Sequence, residues 1–150
     1  MAKLIAVALA AMLVSFNAFA DAGFVVKPSA HGVASTIDRL EGLLKSKGIA
    51  VVARVDHGAA SKKVDMKLNP TQLLIFGNPK LGTPLMQSNQ TIGIDLPLKV
   101  LAWQDNAGKV WVGYNEPSEL TKRHGIENRD DVAGKISGVL KQLVGEAAKP

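Results

Sequence analysis

Four polar side chains stand where strands are expected to end: His57, Asn78, Asp95 and Tyr114. Strand ends and the turns that leave them are where sheet proteins place ligand sites. If these ends converge, they bring a carboxylate, a phenol, an imidazole and a carboxamide to one pocket. An imidazole titrates near neutral pH, and a buried carboxyl or phenol can be tuned toward that range, so the set is suited to acid–base work or to holding a small ligand. Each residue also has a plain structural account. Asp95 precedes Leu96-Pro97, where an aspartate can bond its local backbone and fix a bend, while the proline keeps Leu96 extended. His57 follows Asp56; strand neighbours point to opposite faces, so the two meet in one site only if His57 instead heads the next helix. Tyr114 on a hairpin strand fits a half-buried packing residue with its hydroxyl at the rim.

Other chemistries lack their residues. The chain has no cysteine, which removes disulfides, thiol catalysis and covalent haem attachment. The candidate metal donors are His31, His57, His124, Met66 and Met86. A thioether and imidazole set suits Cu(I), but no pair has close helical spacing, and Met86 shares an apolar stripe with Leu81 and Leu85. No resident metal or cofactor is expected. Gly77-Asn78-Pro79-Lys80-Leu81-Gly82 offers a helix start with a lysine, which suits an anion, but it is not a phosphate-binding loop. No Gly-x-Ser-x-Gly elbow is present. The chain carries 18 Lys+Arg against 13 Asp+Glu, a net charge of +5. The excess is spread out, with Lys62-Lys63 and Lys122-Arg123 its adjacent basic pairs, and the chain has two Trp, one Tyr and four Phe. A nucleic-acid binder needs a basic stripe or interleaved aromatics, so no nucleic-acid partner is expected.

The elements that must position these residues are legible in order. Gly23 to Lys27 reads as a strand ended by Pro28. Val33, Ile37, Leu40 and Leu44 recur at helical spacing, and Gly48 terminates that helix. Ile49 to Val55 is β-branched and reads as a strand; Ala59 to Val64 is a short helix. Gln72 to Gly77 is almost wholly apolar, which predicts a central strand buried on both faces. Pro79 suits the first turn of a helix carrying Leu81, Leu85 and Met86. Leu98 to Trp103 and Val110 to Tyr114 flank Asp105-Asn106-Ala107-Gly108, a hairpin turn. Glu116-Pro117-Ser118 starts a short helical turn toward His124. A last helix from about Arg129 to Glu146 carries Val132, Ile136, Val139, Leu140, Leu143 and Val144 as one stripe. The alternation predicts an α+β domain: a mixed sheet of about five strands with helices packed on it, and a C-terminal hairpin followed by a final amphipathic helix.

Residues 1–20 are a different kind of segment. Met1 and Lys3 form a basic start, Leu4 to Phe16 is apolar, and Ala18-Phe19-Ala20 has the small-x-small pattern of a processing site before Asp21. This is the pattern of a secretory signal peptide cleaved after Ala20, and the apolar run is short for a membrane span. The expected organisation is a signal over 1–20 and one domain over 21–150, periplasmic or secreted, with no membrane attachment after cleavage.

Four segments carry a resemblance: Asp56-His57, Ile75-Phe76-Gly77-Asn78-Pro79-Lys80-Leu81-Gly82-Thr83, Asp95-Leu96-Pro97-Leu98-Lys99, and Val110-Trp111-Val112-Gly113-Tyr114-Asn115-Glu116-Pro117. In this order and spacing the chain resembles the family called domain of unknown function 302, from about Phe24 to the final helix. The resemblance implies a compact α+β fold, often dimeric, with no established activity. Three readings of function therefore stand. One is an exported, homodimeric module that binds a small molecule near Asp95, Asn78, Tyr114 and His57. Another is a small acid–base enzyme using Asp95 or His57. The third is metal or haem handling through His and Met. They differ geometrically: an apolar cavity with few polar groups, two titratable side chains within about 3 Å, or three donors around one point.

Overall fold

The computed structural model describes residues 23–150; the expected signal over 1–20 lies outside the described residues. Five strands form one sheet: β1 (Phe24–Pro28), β2 (Ala50–Asp56), β3 (Thr71–Gly77), β4 (Leu98–Gln104) and β5 (Val110–Asn115). Among the described residues five α-helices accompany them, three between strands and two after β5: α1 (Val33–Ser46), α2 (His57–Lys62), α3 (Pro79–Ser88), α4 (Pro117–Arg123) and α5 (Asp130–Ala148). A 3-10 turn, Gln90–Ile94, follows α3. The α+β class, the strand count, the hairpin and the final helix all match the sequence reading.

The sheet order is β1-β5-β4-β3-β2, and every neighbouring pair is antiparallel. This corrects the mixed sheet expected from alternating strands and helices. The physical reason lies in the connections. β2 to β5 form a meander in which α2, and then α3 with the 3-10 turn, bridge strands that leave and return at the same end of the sheet. The α1 crossover joins β1 to β2, which run in the same direction but occupy opposite edges and never pair. A parallel ladder needs a crossover between adjacent strands, and here the crossover spans the whole sheet.

Alternation along the strands decides the layers. Leu74 and Phe76 of β3, Val100 and Ala102 of β4, and Val112 and Tyr114 of β5 are buried. They meet Ile37, Leu40 and Leu44 of α1 and Leu140, Leu143 and Val144 of α5. Leu73 and Ile75, the alternate residues of β3, are only half-buried. The expectation that β3 is covered on both faces is therefore corrected. Its long apolar run reflects one face under helices and one face that no helix covers among the described residues. On that open face Phe24 stacks on Trp103 with ring centroids 6.1 Å apart.

Local chemistry holds the ends of these elements. Gly48 at φ +67° closes α1, with its N–H donating to the Lys45 carbonyl and that of Ile49 to Leu44. At the β4–β5 hairpin, Asp105 Oδ1 accepts from the N–H groups of Ala107 and Lys109, and Oδ2 accepts from Trp111 Nε1 at 2.7 Å. Gly113 of β5 lies directly beneath Phe24. A Cβ there would sit 2.7 Å from Phe24 Cζ and 2.9 Å from the Val25 carbonyl oxygen. Because the latter is backbone it cannot simply rotate away, so Gly113→Ala is expected to cost about 1–3 kcal/mol, read as a lowered urea midpoint. An unchanged midpoint would contradict this close packing of β1 on β5.

Candidate functional site

An apolar cavity of about 390 Å³ opens at the end of the sheet where β2 and β4 begin and β3 ends. Phe76 and Leu98 supply its floor, Ile136, Val139 and Leu140 of α5 one wall, and Leu81, Gly82 and Met86 of α3 another. Ile49, Ala50 and Val52 close the β2 side. Val52 reaches the cavity because β2 bulges between Val51 and Ala53, and a bulge re-aims a side chain out of the ladder. The cis peptide Leu96–Pro97 completes the rim. Asn78, Pro79 and Thr83, all exposed, form the mouth. No carboxylate lines the cavity. Its size and lining suit a small molecule, since ligand pockets run from about 300 to 1,000 Å³ and are mostly apolar.

The structure does not gather the four sequence-derived site residues in one place. Asn78 lines the cavity mouth. It also caps α3, its Oδ1 accepting from Lys80 N–H at 3.0 Å. Asp95 adjoins the rim residue Leu96, but its carboxylate faces another partner. Tyr114 is only 3% exposed and belongs to the core beneath the helices. Burial, and then the nearby Glu116 charge, raise its phenol above its ordinary value of 10.0, so it stays protonated. His57 opens α2 at the far end of β2, about 20 Å away along a seven-residue strand. It does head a helix: Asp56 caps α2 through Oδ1 to Ala59 N–H and binds Gln72 through Oδ2. Asp95 and His57 therefore lie at opposite ends of the sheet, and the convergence of all four strand-end residues on one pocket does not occur.

Asp95 meets His124 instead. The Asp95 Oδ2 to His124 Nε2 distance is 2.7 Å, and Arg123 NH1 lies 3.1 Å from Oδ1. The other ring nitrogen, Nδ1, lies 2.8 Å from Thr91 Oγ1. Asn89 binds the third point, its Nδ2 donating to the His124 carbonyl at 2.7 Å. That bond orients the amide so that Asn89 Oδ1 accepts from Thr91 Oγ1 at 2.9 Å. The threonine hydroxyl thus bridges the Asn89 carboxamide oxygen and the His124 ring. The result is a clamp. The 3-10 turn grips the end of α4, and the adjoining Leu96–Pro97 is held as the rim of the cavity. Neither Thr91 nor Asn89 carries a sequence signal for this role, and His124 was legible only as one dispersed histidine.

Metal geometry is not assembled. His31 Nε2 donates to the Lys149 carbonyl, and His57 and His124 sit in different neighbourhoods. Among the described residues no group of three or more His, Cys, Asp or Glu could hold an ion.

A profile described as "Domain of unknown function DUF302" matches residues 25–143. The chain belongs to this family. The crystal structure titled as an uncharacterized conserved DUF302 protein from Bacillus stearothermophilus is similar at a TM-score of 0.75 and 22% identity, covering 83% of this chain and 98% of that one. That likeness concerns the DUF302 fold. Two curated relatives named "Fluoride-specific ion channel FluC 1", from Brucella suis biovar 1 (strain 1330) and Brucella abortus biovar 1 (strain 9-941), are each 50% identical over 115 residues. The match covers 77% of this chain but 45% and 43% of those proteins, so the chain spans less than half their length.

The clamp has a measurable sign. Burial works to raise the Asp95 carboxyl, but the His124 hydrogen bond and the Arg123 and His124 charges outweigh it, leaving the group below its ordinary 3.8. A depressed carboxyl stabilises the fold above its unfolded value and loses that contribution as pH falls through the folded one. Asp95→Asn is expected to cost about 1–2 kcal/mol at neutral pH. The gap to the wild type should close on acidification below 3.8. Denaturant titrations across pH check this; a gap that persists in acid would remove the clamp's electrostatic account.

Proposed function

We propose that this chain is an exported domain that binds a small, largely apolar molecule in the cavity between α3, α5 and the sheet. The apolar lining of this half-open cavity, with its few polar groups at the mouth, carries the reading. The Asp95–His124 pair meets the distance expected of an acid–base couple, yet its polar atoms are occupied by Arg123, Thr91 and the α4 end, which favours a structural role. Residues 1–20 supply the export element. The Brucella relatives bear a channel name, but the chain matches under half their length, and among the described residues no helix is long and apolar enough to cross a membrane. The cavity, not that name, supports the reading.

Gly82 gives a direct test. Its position in α3 points toward the rim, where a Cβ would meet Leu96 Cδ1 at an ordinary 3.6 Å. A phenylalanine at 82 therefore extends into the cavity without backbone strain. The neutral dye Nile red is expected to bind the wild type with enhanced fluorescence and to lose that binding in Gly82→Phe, with the circular dichroism spectrum unchanged. A folded Gly82→Phe protein that binds the dye as the wild type does would remove the cavity from the function.

The same proposal includes a homodimer joined through the open sheet face. Phe24, Val26, Leu73, Ile75, Leu101 and Trp103 occupy that face at paired register positions. The charge that register places on it, Lys99, is drawn to the edge by the carbonyls of Asp95 and Pro97. A two-fold interface sets a surface against its own copy, and the apolar majority of this face suits that contact, with Lys109 Nζ, 4.1 Å above the Trp111 ring, a cation at its β5 border. Light scattering should give a dimer mass for the wild type and a monomer mass for Leu101→Glu. A wild type that scatters as a monomer at every concentration would exclude this assembly.

A further inference from the structure

We propose that the occupant of the cavity is a single-chain amphiphile with an anionic head, its aliphatic chain lying against α5 and the sheet and its head at the first turn of α3. The inference rests on the cavity reading above and adds the ligand's chemical class. Two observations carry it. The first is that polarity is confined to one spot. The interior is walled by Phe76, Leu81, Leu98, Val139 and Leu140, whereas Asn78 and Thr83 are the side chains able to hydrogen-bond, and both lie at the mouth. A ligand that matches this surface is apolar along its length and polar at one end.

The second is the sign of that end. Asn78 Oδ1 is committed to Lys80 N–H, so the amide presents its Nδ2 donor to an incoming group. Thr83 adds a hydroxyl. Lys80 does not itself line the cavity, but it stands beside the mouth between the lining residues Pro79 and Leu81, is exposed, and takes part in no ion pair among the described residues. No Asp or Glu lines the cavity. Donors and a cation without a facing carboxylate complement a carboxylate or phosphate and disfavour an ammonium.

The experiment is competition against bound Nile red, with each competitor below its micelle-forming concentration. Three single-chain probes of equal length differ only in the head: dodecanoate, dodecanol and dodecyltrimethylammonium. Dodecanoate is expected to displace the dye at a concentration about two- to fivefold below that of dodecanol, the scale of one exposed charge pair, with the ammonium weakest. Lys80→Glu should abolish or invert that order. Lys62→Glu makes the same charge change in α2 at the opposite end of the sheet and should preserve it. If dodecanol competes as well as dodecanoate, or if Lys62→Glu and Lys80→Glu alter the order equally, the anionic head at Lys80 is overturned while the cavity reading survives on the Gly82→Phe result. If no probe displaces the dye although Gly82→Phe abolishes its binding, the aliphatic chain is overturned too. Dodecyl phosphate then separates the heads: displacement equal to dodecanoate supports a general anion at this end, and displacement no better than dodecanol overturns that generality.

Discussion

Burial on one side of an antiparallel sheet is the constraint from which the rest of this fold follows. Side chains alternate along each strand, so Leu74, Phe76, Val100, Ala102, Val112 and Tyr114 share one face and must be covered there. The apolar stripes of α1 and α5 cover them. Each fully buried aliphatic or aromatic side chain contributes about 1.5–3 kcal/mol relative to exposure, so the sheet and the two long helices stabilise one another. With every covering helix on the same face, the opposite face keeps its aromatics and β-branched residues half-exposed, which is why one fold offers both a cavity and a flat apolar surface.

The cavity arises where that covering layer is incomplete. α1 and α5 pack on the middle of the sheet, while α3 stands beyond the C-terminal end of β3 and packs on α5. The space between them is not filled by a large side chain, because the residues that border it include Gly77 and Gly82. Its rim depends on polar chemistry at a distance. Leu96–Pro97 is held by the turn before it, and that turn is fastened to α4 by three bonds to one histidine. An apolar surface is therefore shaped by a charged clamp that does not touch its interior. Asp95 belongs to this fastening, and its neighbour Leu96 belongs to the wall.

Much of the fold was legible from the chain. Helical spacing in α1 and α5, the Gly48 stop, the Asp105–Gly108 turn and the Pro79 helix start are local signals, set by backbone preferences and by periodicity over a few residues. The strand pairing was not. Interleaved helices suggested a parallel component, but whether a connection crosses the sheet or turns back beside the same strand depends on which edge is free, and no local pattern records that. The reading of β3 as buried on both faces failed for a related reason: an apolar run has the same appearance under a helix and on a face that no helix covers among the described residues.

The site divides along the same line. Residue order alone settled that a strand ends near Gly77 and a helix begins at Pro79, that Asp95 stands at a proline bend, and that no cysteine chemistry operates, since each depends on neighbours in the chain. Only the folded arrangement decided that His57 lies at the opposite end of the sheet from Asn78, that His124 is the imidazole Asp95 meets 29 positions away, and that α5 residues readable as plain core also wall a cavity. Those outcomes turn on how layers stack and where they fail to touch. That is a property of packing across the whole domain, and a one-dimensional pattern carries no term for it.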